Sequence, residues 1–101
     1  MTIEEARYNG MTEVTGVDSG DTILFQVNPR KNTSIEVVPT TAGSGTIGAT
    51  MGTTEPADFT GFSMDTSGAT TVAKFINLGG GISYVGCLVT SGVFTVRVFN
   101  A

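Results

Sequence analysis

Nine carboxylates, five cations, one cysteine and no histidine make up the reactive inventory of this 101-residue chain. Paired acids could run glycoside hydrolysis, one as general acid and the other as base or nucleophile. The candidate pairs are Glu4/Glu5, Asp18/Asp21 and Glu55/Asp58, with Asp65 alone. All the acids except Glu36 fall in the N-terminal segment or in turn-like stretches, where carboxylates face water. Asp18-Ser19-Gly20-Asp21 could turn oxygens toward Ca²⁺, but it lacks the longer acidic spacing of a calcium loop, and Asp and Gly make turns unaided.

The absence of histidine removes Ser–His and Cys–His nucleophilic pairs and the usual zinc sites. Cys87 alternates with Val85 and Val89, which makes it a buried structural thiol and leaves no disulfide within the chain. Leu78–Ser83, LGGGIS, has the glycines of a phosphate loop without its G-x-x-x-x-G-K-[ST] pattern or a following helix. It reads as a tight β connection. No base near neutral pKa and no activated nucleophile is offered, so the expectation is no enzyme, no metal and no cofactor.

The net charge of −4 and pI of about 4.4 leave Arg30–Lys31 as the only adjacent cations. Phosphate backbones and anionic membrane surfaces need clustered Lys and Arg, so neither nucleic acid nor membrane is an expected partner. No apolar run approaches 18 residues, and the N-terminus shows no secretory signal. Together with the single cysteine, this fits synthesis in a reducing compartment.

The elements that would position any site are strands. Charged residues are only 14% of the chain, while 17 Thr, 7 Ser and 14 Gly favour pleated surfaces joined by turns. Alternation predicts strands over Met11–Thr15, Thr22–Asn28, Thr33–Thr40, Thr46–Thr54, Thr70–Leu78, Ile82–Thr90 and Val93–Phe99, with Phe59–Asp65 a short strand or bulged loop. Gly16–Asp21, Pro29–Asn32, Thr41–Gly45, Thr66–Ala69 and Ser91-Gly92 read as turns. Thr22–Asn28 and Thr33–Thr40 then form one hairpin, and Ile82–Thr90 with the last strand another. Glu4–Ala6 could seed a helical turn.

The fold expected is all-β: one antiparallel β-sandwich of seven or eight short strands over residues 17–101, preceded by an N-terminal arm over 1–16. The final strand is apolar on both faces, so it should lie inside a sheet or under cover. Tyr8, Met11, Phe59, Phe62 and Met64 are the candidate interface residues, since aromatics and Met are enriched in interface cores. A core without Trp would also use them.

Two stretches add a resemblance. Ser34–Gly52, SIEVVPTTAGSGTIGATMG, joins an apolar strand through a small-residue turn to a second strand. Gly79–Ala101, GGGISYVGCLVTSGVFTVRVFNA, ends in T-V-R-V at the C-terminus. Over roughly residues 33–101 the chain resembles the small all-β accessory proteins of tailed-bacteriophage virions, of the head-decoration or head-fibre kind. The resemblance implies a binding role on a capsid or tail, no enzymatic activity and assembly in the host cytoplasm.

The leading expectation is therefore a virion decoration or cement protein, bridging subunits of the major capsid protein on the outer surface as a homo-oligomer, with a trimer favoured. The alternatives are a receptor- or carbohydrate-binding module, whose stacking residue would be Tyr84, and a head–tail connector or tail component.

Overall fold

The computed structural model describes residues 2–5, 10–65 and 72–101. Among these residues seven strands lie in chain order: β1 (Thr2–Glu5), β2 (Gly10–Val17), β3 (Thr22–Gln26), β4 (Thr33–Thr50), β5 (Ser63–Asp65), β6 (Lys74–Gly79) and β7 (Tyr84–Asn100). Where a helical turn was conceivable, Thr2–Glu5 is extended and adds to β3 in parallel, the one parallel pairing among the described residues, whose other pairings are antiparallel. Backbone pairing at a sheet edge outweighs the slight helical preference of Glu4 and Glu5; Ala6, the rest of that expected turn, lies outside the described residues.

The frame is a single long ribbon. β4 and β7 pair along almost their whole lengths, from Thr33 opposite Asn100 to Thr50 opposite Tyr84. The ribbon bends midway, where the register shifts between Pro39 and Gly45. One half carries β6 beside β4 and β2 beside β7, giving sheet A in the order β6-β4-β7-β2. The other half carries β5, β3 and β1, giving sheet B in the order β5-β4-β7-β3-β1. The two sheets close face to face on one core, an antiparallel β-sandwich.

The turns expected at Thr41–Gly45 and Ser91-Gly92 are not turns. They lie opposite one another, Ser44 beside Ser91, and form the bend of the ribbon. Gly92 takes φ +77°, and a Cβ on it would stand 2.5 Å from the Thr41 carbonyl oxygen. A Cβ on Gly43 would run into the Ser91 carbonyl. Small residues that tighten a turn equally let two paired strands fold over together. Both expected hairpins dissolve as a result: β3 pairs with β7 rather than β4, and the last two expected strands are one strand.

Alternation then fills the core. Phe94, Val96 and Val98 of β7 and Ile35 and Val37 of β4 point from sheet A toward Ile23, Phe25, Ile47, Val85, Cys87 and Val89 of sheet B. Each such large side chain contributes about 1.5–3 kcal/mol by leaving water. Cys87 is buried, as its spacing predicts, and burial pushes its thiol up to about 12.

Candidate interaction surface

The face of sheet A turned away from the core is built by the opposite phase of the same strands. β7 contributes Arg97 and Phe99, β4 contributes Ser34 and Glu36, β2 contributes Met11 and Glu13, and β6 contributes Phe75. The register aligns them in two rows, Phe75–Glu36–Arg97–Glu13 and Ser34–Phe99–Met11.

Arg97 stands mid-row. Its Nε donates to Glu13 Oε2 and its Nη1 to Glu36 Oε1 at 2.8 Å, all three side chains being about one-third exposed. The Glu13 bond, then the Glu36 bond, hold the guanidinium's pKa above even its ordinary value. Exposed pairs of this kind add little stability; what they do here is fix three long side chains in one row.

Beside the three charged side chains stand three apolar ones: Met11 is 52% exposed, Phe75 64% and Phe99 49%. Met11, Ser34, Glu36, Phe75, Arg97 and Phe99 line a shallow depression of about 120 Å³. Large apolar groups gathered on one flat face mark an interaction surface more than scattered ones do.

The sequence-predicted residues divide. Met11 lies in this surface. Phe59 and Phe62 form an edge-to-face pair 4.9 Å apart in the loop before β5. Phe59 and Met64 close over Gly48 on the outer side of sheet B, where a Cβ would stand 2.6 Å from Met64 Sδ and 3.2 Å from the Phe59 ring. Tyr8 lies outside the described residues. Phe75, Phe99, Arg97, Glu13 and Glu36 were missed. The signal for them was phase: in V-F-T-V-R-V-F the charge of Arg97 marks the water-facing set, to which Phe99 belongs, and Asn77 does the same for Phe75.

The final strand is indeed inside a sheet, between β4 and β2, but its Phe99 face is not covered. Tyr84 is 5% exposed and offers no ring for stacking.

The other polar clusters are structural. The Asp18 and Asp21 carboxylates accept from the backbone N–H groups of Ser19 and Asp18 at 2.7 and 3.3 Å, capping their own turn. Among the described residues no three metal-ligating side chains gather, and no helix is long and apolar enough to cross a membrane. A second cleft, about 380 Å³, is lined by Ile47, Ala49, Met51, Ile76, Leu78 and Ile82 among others.

No protein-family model and no curated protein sequence matches the chain. Solved structures match in fold. One is PliG of Aeromonas hydrophila, a periplasmic inhibitor of g-type lysozyme, at TM-score 0.54 and 12% identity over 99% of this chain and 96% of that one. Another is the pre-peptidase C-terminal domain of Bacillus anthracis collagenase, at 0.52 and 15% over 98% and 94%. The coat protein of Tobacco streak virus follows at 0.39 and 12% over 90% and 87%. At these identities the first two likenesses show the sandwich fold and no function, and the third is too distant to argue from.

Proposed function

We propose that this chain is a non-enzymatic binding module that docks on a larger assembly through the outer face of sheet A. At finer resolution it is a decoration or cement protein on the outside of a virion, bridging subunits of the major capsid protein. The observation that carries the reading is the exposure of Met11, Phe75 and Phe99 around the Glu13–Arg97–Glu36 row.

Magnitude supports a many-copy arrangement. Four strands about 4.8 Å apart and roughly seven residues long make a face of about 400 Å². A stable one-to-one complex buries about 800 Å² per partner. One such face binds weakly alone, and many copies on one shell, assembled as trimers or on the particle itself, hold through avidity. The net charge of −4 favours the outside of a shell over a wall lining packaged DNA.

The test is cosedimentation of the purified chain with phage particles lacking their decoration protein, followed by heating. Binding at saturating copy number with a raised melting temperature of the shell is expected, and both should be lost in Phe75→Ser/Phe99→Ser. Failure to sediment with any particle overturns the virion reading.

A further inference from the structure

We propose that the second cleft is an anchor site for the protein partner and receives uncharged aliphatic side chains, two of them from one segment. The inference rests on the binding-module reading above and adds where, and by what chemistry, the partner is held.

The cleft is built by residues that face the core. Ile47 and Ala49 of β4 and Ile82 after β6 belong to the core cluster, and Ile76 and Leu78 of β6 pack against it. β5 covers β4 only from Ile47 to Ala49. Ser63, which the register sets beside Ala49, is exposed and lines the cleft. Small residues at both positions leave about 380 Å³ open where larger ones would close the core.

Chemistry selects the guest. Among the described residues that line the cleft, none is charged and none is aromatic. Thr50 Oγ1 already accepts from the Gly52 N–H at 3.0 Å. A charged or amide side chain would leave water for a wall that returns few hydrogen bonds. An aliphatic one gains by the transfer alone. Met51, 68% exposed, is an unbranched thioether that adapts to the shape of a guest. An engineered cavity of about 150 Å³ holds one benzene, so about 380 Å³ admits two leucine-sized groups.

Position ties the guest to the docking partner. β6 turns Phe75 toward the outer face of sheet A and sets Ile76 and Leu78 in the cleft. Among the described residues it pairs with β4 alone, so a segment passing its edge can touch both. The outer face offers about half of the roughly 800 Å² that a stable complex buries per partner, and the cleft adds contact on the same strand. A second copy is the poorer guest, because its edge strands β2 and β6 already turn Val14, Ile76 and Leu78 to their own core.

The test uses the full chain with ¹³C-labelled Ile and Met methyl groups. It is titrated with three acetylated and amidated pentapeptides, Ser-Leu-Ser-Leu-Ser, Ser-Gln-Ser-Gln-Ser and Ser-Lys-Ser-Lys-Ser, and with isopentyl alcohol as a free aliphatic group. The leucine peptide is expected to shift the methyls of Ile47, Met51, Ile76 and Ile82. It should bind at least about tenfold tighter than any other probe. Ser63→Leu, at an exposed position, puts a side chain of the chain's own into the cleft. It should abolish peptide binding at an unchanged or raised melting temperature, and should lose most of the parent's sedimentation with particles.

Equal binding of the glutamine or lysine peptide overturns the aliphatic assignment. Isopentyl alcohol binding as tightly as the leucine peptide overturns the partner assignment, since flanking residues then contribute nothing. No methyl shift with any probe overturns the site. If the parent sediments with particles and Ser63→Leu does so equally well, the cleft takes no part in docking. If the parent itself does not sediment, the virion reading fails instead, and the peptide titration still judges the cleft.

Discussion

Asn100 and Asn28, 72 residues apart, bond to each other twice: the Asn28 amide donates to Asn100 Oδ1 at 2.9 Å, and Asn100 Nδ2 donates back to the Asn28 carbonyl at 3.3 Å. The same Nδ2 reaches the Asn32 carbonyl at 3.2 Å and Thr33 Oγ1 at 3.1 Å. Ala101 and Asn32 exchange a further pair of backbone bonds at 3.0 Å. The C-terminal strand thus ends in a fully buried amide that organises the β3–β4 connection.

Replacing that amide should be costly. Asn100→Leu keeps the volume but leaves the partners in the Asn28–Thr33 connection without it. The expected loss is about 2–4 kcal/mol, read from the urea midpoint at unchanged m-value. A midpoint equal to the parent's would mean that water replaces the amide freely.

The bend of the ribbon should tolerate no side chain. Gly43→Ala meets backbone on β7, and Gly92→Ala meets backbone on β4 at positive φ; each should cost several times what Gly20→Ala costs. Gly20 also has positive φ, at +85°, but open space around it, so only the backbone term of about 1 kcal/mol applies. Thermal melts of the three variants rank them, and equal losses would remove the bend as the cause.

Cys87 predicts an alkaline limit. Its thiol is neutral when protonated, and its folded pKa is raised from 9.0 to about 12 by burial. Below about pH 8 neither state ionises, and this contribution to stability is complete. From about 9 to about 12 the unfolded chain loses a proton that the fold retains, so stability falls by up to about 1.4 kcal/mol per pH unit. Cys87→Ala should flatten that fall. At pH 8 the folded chain should not react with a disulfide reagent and should react at once in urea.

The outer face of sheet A should be dispensable for folding. Phe75→Ser and Phe99→Ser remove exposed rings, so stability should stay within about 0.5 kcal/mol of the parent. Loss of particle binding at unchanged melting temperature would separate docking from folding; a collapse of the fold in either variant would place that ring in the core instead.

Strand identity was legible because it is local. Thr22–Gln26 and the alternation through Val93–Phe99 state their period in five to seven residues, and Cys87 declares its burial by its neighbours. Even the outward phase of Phe99 was written beside Arg97. Partner choice was not. TAGSG and SG carry the residues of a turn, and whether they reverse one chain or bend two paired chains depends on which strand lies alongside, a contact set some fifty residues away. The candidate surface has the same origin: Met11, Glu36, Phe75 and Phe99 are scattered over most of the chain and share a face only after β2, β4, β6 and β7 have taken their register. The sequence by itself therefore determined an all-β sandwich with a buried thiol and an acidic surface. Only the tertiary structure decided that one bent ribbon builds both sheets and which side chains it sets together, because long-range hydrogen-bond registry is a property of paired strands and not of any strand alone.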